Sequence, residues 1–457
     1  MKKERLGTAS AWLRWPVEAI RLRHRRCPGG PPASTSAILY FAGTAWDGVP
    51  GTDRELASQL SQHRPVVWVD PPTPAHKIVW RFVRGQVTRG RVTRELVGAT
   101  LVVVRPLAPP GLTRLGIRRL TFWGAGIWGV RSLLSSGYSC HAVVVASAQQ
   151  LIPRRAVRWG VPRVYFETDD FVAGASLFGQ PQRRMQRLRE VNVQRSTLVL
   201  AVSELLARSV AAGIREWATL PNGCNAARFA SVDRTGPLAG LRIDAPIAAV
   251  IGQLNERLDF DALEKVARTG ASLLLVGPRM PMSPRGNAQL DHLLGQPNVQ
   301  WLGRRPVEQM PAVLDSTAVG LVPYVDSPFN RSSCPLKTLD YLAAGKAVVA
   351  SDIPAMRQHP AGFVRVARDP SSFAALVADA LAYPLTPSEA EMRRAYARRH
   401  DWSARALVLI QLIEKDRTAL AEGSAQRNAV KCARRTRRHA FPACGFCASA
   451  ALDPRDS

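Results

Sequence analysis

Lys337 and Asp340 stand three residues apart in the stretch FNRSSCPLKTLDYLAAGKAVVASDIP, residues 329–354, a spacing that puts both on one side of a helix. The elements that would position them are written around them. Ser332 and Ser333 can cap a helix, Pro335 suits its first turn, and Leu336, Leu339, Leu342 and Ala343 recur at helical spacing to give one buried face. Gly345 ends the helix, and the apolar run 347–350 reads as a strand covered on both faces. A helix start directs unpaired N–H groups and partial positive charge outward, which favours a phosphate or diphosphate. Lys337 would add a full charge, and Asp340 can accept hydrogen bonds from vicinal hydroxyls such as those of a ribose. The combination suits a nucleoside diphosphate. A capped core helix with a solvated Lys and Asp would use the same residues, so the wider sequence has to decide.

Other residues offer further chemistry. Glu167, Asp169 and Asp170 follow the strand pattern RVYFE directly, at the carboxyl end where open α/β sheets bind ligands. Such a triplet can bind a metal, orient hydroxyls or act as a base; a solvated loop or a helix cap explains it equally. The loop GTAWDGVPG, residues 43–51, lets backbone approach a ligand, although its spacing is no dinucleotide fingerprint and a strand-to-helix turn also accounts for it. Cys444 and Cys447, with Cys432 and His439, form a weak zinc pattern in a tail without apolar periodicity. That tail reads as basic and unstructured, and no metal is expected.

Short apolar runs alternate with longer amphipathic ones from Ala37 onward, at 38–42, 65–70, 100–106, 141–147, 163–167 and 197–203. A second series follows at 246–252, 271–277, 298–303, 318–324, 346–351 and 363–367, with helical patterns at 370–382, 387–399 and 402–421. These are βα units, and they predict an α/β chain of two doubly wound, Rossmann-like domains with parallel sheets. The divisions fall at a basic leader and linker, 1–36; an N-terminal domain, 37–230; a C-terminal domain, 245–400; a final helix, 401–421; and the tail, 422–457.

The 457 residues carry a formal charge of +27, with the ends richer in arginine and the body itself basic. Such a field attracts polyanions without choosing among lipid headgroups, nucleic acid and phosphorylated substrates. No helix-turn-helix, finger or RNP-like motif supports nucleic acid. Seven scattered Cys form no disulfide framework, and their odd number points to reduced thiols and a cytoplasmic setting. Charges and Pro16 interrupt the apolar core a signal peptide needs, and no apolar run is long enough to span a bilayer. Trp12 and Trp15 in the leader, and the basic segments 77–96 and 112–128 with Trp80, Trp123 and Trp128, suit an anionic membrane interface. For the two segments, helices with Trp inward and Arg merely wet fit equally, and for residues 1–36 a disordered basic leader fits as well.

The order of these features resembles the GT-B glycosyltransferases of family 4, especially the bacterial teichuronic acid and exopolysaccharide group. The resemblance is carried by YFAGTAWDGVPG at 40–51, VVWVDPP at 66–72, YFETDD at 165–170, LAVSELL at 200–206 and LPNGCNAARF at 220–229. It continues through VIGQLNERLDFDAL at 250–263, NVQWLGRRPVEQMPAVL at 298–314 and CPLKTLDYLAAGKAVVASDIP at 334–354, covering about residues 38–420. It implies a hexosyltransferase-type enzyme with a donor-binding C-terminal domain, an acceptor-binding N-terminal domain, retention of anomeric configuration and no catalytic metal or other cofactor. The implied partners are a nucleotide-sugar donor and a saccharide or lipid-linked acceptor of the cell envelope, at the inner face of the plasma membrane.

Residue by residue, the resemblance puts Asp340 at the second acid of a Glu-x7-Glu element, which holds the donor ribose, and Ser332 at the first. Ser332 can hydrogen-bond a sugar hydroxyl but supplies no charge; Asn330 or Asp326 would have to compensate. Where many members grip the diphosphate with Arg and Lys, this chain has Arg257 and Asp259, so Arg257 and Lys337 are assigned to the diphosphate. Gly43, Gly51, Gly252, Ser332, Ser333, Leu336 and Asp340 are then the donor-lining set. An acceptor-domain His is absent, Ser147, Gln149 and Gln150 standing nearby, and Asp169 or Asp170 is assigned its orienting role. A GT-B fold that binds without turnover and a sugar-nucleotide epimerase are the alternative functions.

Overall fold

The computed structural model describes residues 35–75, 94–109, 115–211, 216–230 and 238–439, with side chains to 423. The leader, most of segment 77–96 and the Cys444–Cys447 pair lie outside them. The first unit runs β1 (Ser36–Phe41), α1 (Thr52–His63), β2 (Val66–Val69), β3 (Thr73–Pro74), β4 (Arg94–Val97), β5 (Leu101–Val104) and β6 (Leu107–Ala108). It continues with α2 (Leu115–Ser135), β7 (Ser139–Val145), α3 (Arg154–Arg158), β8 (Arg163–Glu167), α4 (Gln182–Arg195), β9 (Leu198–Ala201), α5 (Glu204–Val210) and β10 (Trp217–Thr219). Eight of these strands form one sheet in the order β10-β9-β8-β7-β1-β2-β5-β4, parallel except at its edge. There β4 pairs antiparallel to β5, in a segment the sequence marked only as basic and apolar-rich.

After α6 (Ala226–Phe229) the second unit contains β11 (Ile247–Ile251), α7 (Phe260–Arg268), β12 (Ser272–Val276), α8 (Pro284–Leu294), β13 (Val299–Trp301), α9 (Met310–Asp315) and β14 (Val319–Val322). Then come α10 (Pro328–Ser332), α11 (Leu336–Ala343), β15 (Ala347–Ser351), β16 (Val364–Ala367), α12 (Pro370–Ala382), α13 (Pro387–Arg398) and α14 (Trp402–His439). The sheet order is β13-β12-β11-β14-β15-β16, wholly parallel. Strand order reverses between β11 and β14, and in such sheets a crevice opens at that point beyond the carboxyl ends.

Both sheets are buried on two faces because their strands are near-continuous Val, Ile, Leu and Ala. Cys224 and Phe229 join the core of the second unit, so the crossover falls nearer 221–223 than 230. The chain then crosses back. Trp402, Ala406, Leu409 and Ile413 of α14 insert into the core of the first unit, and the two crossovers run side by side, Cys224 N–H donating to His400 O and Trp402 N–H to Cys224 O. α14 continues to His439, beyond the 421 at which the apolar pattern fades. Ala, Arg, Lys and Gln sustain a helix by intrinsic propensity where no apolar stripe is left to mark it.

Candidate active site

α11 is built as expected but started differently. Pro335 occupies its N-cap position with no side-chain cap. Ser333 instead donates back to Asn330 O at 2.8 Å, because an unforeseen short helix, α10, precedes it and is capped by Ser327. The first-turn amides of α11 are therefore left to a ligand or solvent. Gly345, at φ 72°, ends the helix in the left-handed region.

Tyr341 fixes where α11 lies. Its hydroxyl accepts from Ile251 N–H at 3.0 Å and donates to Ala249 O at 3.1 Å. Its ring lies against Gly320, where a Cβ would sit 2.2 Å from the ring. A side chain that reads as core from its spacing thus pins the helix across the switch point. On the outer side Lys337 Nζ and Asp340 Oδ2 pair at 2.8 Å, the carboxylate the less exposed of the two.

Arg257 lies in the loop after β11. Its guanidinium stacks over both Tyr324 and Phe329, 4.7 Å from each ring, and Nε donates to Asn330 Oδ1 at 2.9 Å. Gly252, at φ 152°, opens this loop with space where its Cβ would be, so backbone is presented there. Asp259 is neither a substitute cation nor a ligand residue: it caps α7, accepting from Ala262 N–H.

Facing Arg257 from the first unit is Asp169. Burial pushes its carboxyl up to about 6, Arg257 pulling it back and Asp170 adding to the rise. Asp169 has no hydrogen-bond partner among the described residues. The other acids of the triplet are committed to structure: Arg189 donates to Glu167 at 2.8 Å and to Asp170 at 2.6 Å. Asp170 also accepts from Val172 and Ala173 N–H, forming the turn. Of the two aspartates, Asp169 is the one with an uncommitted carboxylate, whereas Asp170 is held in the ion pair and the turn.

Three polar links tie the units beside this cleft. Ser203 Oγ donates to Ser332 O at 2.7 Å, Asn222 Nδ2 to Cys334 O at 2.6 Å, and Thr52 Oγ1 to Asn222 Oδ1 at 2.8 Å. Thr52 follows Gly51, so the glycine-rich loop is held near the entry to α11. At its other end Gly43 packs against Ala146 O and donates its N–H to Asp53 at 2.8 Å.

The glycosyl transferases group 1 family matches residues 246–382, the second unit. TuaH of Bacillus subtilis strain 168, named as a teichuronic acid biosynthesis glycosyltransferase, is 28% identical over 286 residues, 59% of this chain and 66% of that one. The chain thus spans just under two thirds of that relative's length. Sucrose-phosphate synthase from Thermosynechococcus elongatus superimposes with a TM-score of 0.62 at 17% identity, over 84% of this chain and 100% of that one. An α,α-trehalose-phosphate synthase (UDP-forming) from Burkholderia xenovorans, in complex with glucose-6-phosphate, gives 0.60 at 14%, over 83% and 100%. The chain has the GT-B fold, and its second unit matches the glycosyl transferases group 1 family.

Two departures of this chain from the family pattern are now placed. Asn330 does not replace the missing acid: it is fully buried, with its amide bonded to Arg257 Nε, Arg257 O and Val325 O. Asp326 is exposed and paired with Arg331. Ser332 offers only its hydroxyl, which makes no hydrogen bond among the described residues. In place of the absent His, Ser147 accepts from Gln149 and Gln150 N–H, while Gln149 keeps a buried amide oxygen with no partner.

Asp53 carries no motif that marks it in the sequence. Burial pushes its carboxyl up to about 7; hydrogen bonds from Gly43 N–H and Tyr40 OH oppose this, and Asp169 adds to it. An acid in the first turn of a helix that follows a glycine-rich loop was the available signal. Among the described residues no cluster of three His, Cys, Asp or Glu could hold a metal, and no helix is long and apolar enough to cross a membrane.

Proposed function

We propose that the protein transfers a sugar from a nucleotide-diphosphate donor to a hydroxyl of a cell-envelope saccharide, lipid-linked and presented at the cytoplasmic face, with retention of anomeric configuration. The observation that carries this is the meeting of Arg257, from the second unit, with the uncommitted Asp169 carboxylate of the first. Asp340 holds the ribose hydroxyls. The first-turn amides of α11, Lys337 and Arg257 stabilise negative charge on the departing diphosphate, where preorganised donors lower the barrier without reorganising. These cations fill the place a metal would take, so the reaction needs none. Asp169 orients the acceptor hydroxyl on the face the diphosphate leaves. There the bond from the anomeric carbon to diphosphate oxygen breaks, the bond to acceptor oxygen forms, and the hydroxyl proton passes to the departing phosphate.

The relatives support this reading: the trehalose-phosphate synthase is UDP-forming, and TuaH is named for teichuronic acid biosynthesis. A panel of nucleotide sugars, read by thermal shift and then by transfer with and without membranes, tests it. One donor should stabilise the protein and be turned over; no donor binding at millimolar concentration would end the proposal. The uncharged Ser332 favours one alternative, a protein that binds donor without turnover, and product formation separates the two.

A further inference from the structure

α2 is amphipathic in the inverted sense. Its inner side packs on the first sheet through Ala125, Val130 and Leu133, with Gly129 so close to Val69 and Phe41 that no side chain would fit. Its outer side presents Leu120, Trp123, Ile127, Arg131 and Leu134, a single stripe at steps of three and four, with Arg119 exposed beside it. Leu120 is 68% exposed and Trp123 66%. A solvent-facing helix normally turns its polar side outward. Neither α2 nor α3 has an acidic residue, and α3, whose Pro153 cap lies beside Gly126, exposes Arg154, Arg155 and Arg158 around Val157. At the start of α2, Arg118 and Arg184 converge on the same uncharged oxygen, Gln180 Oε1, at 2.5 and 3.1 Å. The apolar surface continues through exposed Leu177 and Phe178, and the Phe178 ring meets Phe329 edge-on beside Arg257.

We infer that this face seats the protein on an anionic lipid bilayer. Leu120, Trp123 and Ile127 lie at the headgroup–acyl boundary, and the surrounding arginines pair with lipid phosphates. A second copy on the same face would set Arg119 and Arg131 against their equivalents, so like charges oppose self-association. The inference rests on the lipid-linked acceptor of the proposed function: the Leu177–Phe178 rim is where such an acceptor would pass from the bilayer towards Asp169.

Co-flotation of the full chain with vesicles tests it. The protein should float with phosphatidylglycerol-containing vesicles and less with pure phosphatidylcholine, and salt should weaken binding. The triple variant Leu120→Ser, Trp123→Ser, Ile127→Ser should lose roughly tenfold or more in vesicle affinity. Its folding and donor site are checked by an unchanged thermal shift with the donor or, if none is known, by an unchanged melting curve. Flotation of the variant equal to wild type, failure of wild type to float, or conversion of a wild-type dimer to a monomer by these substitutions would each overturn the inference. Donor binding is measured separately, so a failed bilayer test leaves the glycosyl-transfer reading standing, and a missing donor leaves the vesicle result readable.

Discussion

Asn330 holds Arg257 at both ends, accepting from the guanidinium Nε at 2.9 Å while its amide N–H₂ donates to the backbone carbonyl of Arg257 at 3.2 Å. The arginine arrives at the cleft with its rotamer already chosen. Asn330→Ala should therefore reduce transfer roughly tenfold or more, about 1.5–3 kcal/mol for a bond to a charged group. Arg257→Lys should not preserve the rate, since an ammonium neither stacks between two rings nor presents a planar fork. Steady-state kinetics of the two variants checks both statements.

The proposed function predicts that Lys337 and Asp340 divide donor binding from transfer. Asp340→Ala removes a charged acceptor and should weaken donor affinity on the order of tenfold or more. Lys337→Ala should chiefly lower kcat, its charge mattering most as the diphosphate departs. Calorimetric donor affinities beside initial rates would show the split; unchanged values in both variants would return α11 to the status of a core helix.

The raised carboxyl of Asp169 gives the reaction an acid limb. With its titration placed at about 6, kcat/KM should fall as pH drops through that value and hold above it, and Asp169→Asn should lose the limb along with most activity. Stability moves the other way. Asp53 and Glu167, both pushed up to about 7 by burial, retain protons that the unfolded chain releases near about pH 4. Stability from these groups therefore declines as pH rises across that window. Melting temperatures of Asp53→Asn and wild type across this range should converge on the acidic side.

Gly320→Ala should be costly although glycine there is not needed for backbone freedom. The added methyl would meet the Tyr341 ring, forcing α11 off the sheet at an expected loss of about 1–3 kcal/mol. On the proposed function, donor affinity should fall with melting temperature, because the helix that moves carries Lys337 and Asp340.

On the proposed mechanism, in which Arg257, Lys337 and helix amides supply the positive charge, treatment with EDTA should leave transfer unchanged. A rate abolished by chelator and restored by a divalent cation would contradict the metal-free reading.

The strands and their parallel order were legible because buried strands are written as apolar runs between turn residues. Arg257, Lys337 and Asp340 were legible as candidates only, because register against a motif needs nothing but the chain. The residues that organise them were not. Asn330 looks like a ligand residue until its partners are seen, and Tyr341 resembles any core aromatic. Trp123 and Trp128 share one apolar segment, yet Trp123 faces solvent while Trp128 packs on the core. Ser332 and Ser333 fit a cap by type, but they end α10, which Ser327 caps, and α11 starts at Pro335 with no side-chain cap.

The return of α14 makes the halves of this chain unequal as pieces. A first unit cut off after residue 230 would lose Trp402, Leu409 and Ile413 from its core, whereas the second unit is closed without them. Grafting a new donor specificity should then mean exchanging only the stretch between the two crossovers, from about 224 to 400, and leaving the last helix with its host. Expressing residues 35–230 alone and together with the 402–423 helix would show the dependence, with soluble folded protein expected only in the second case.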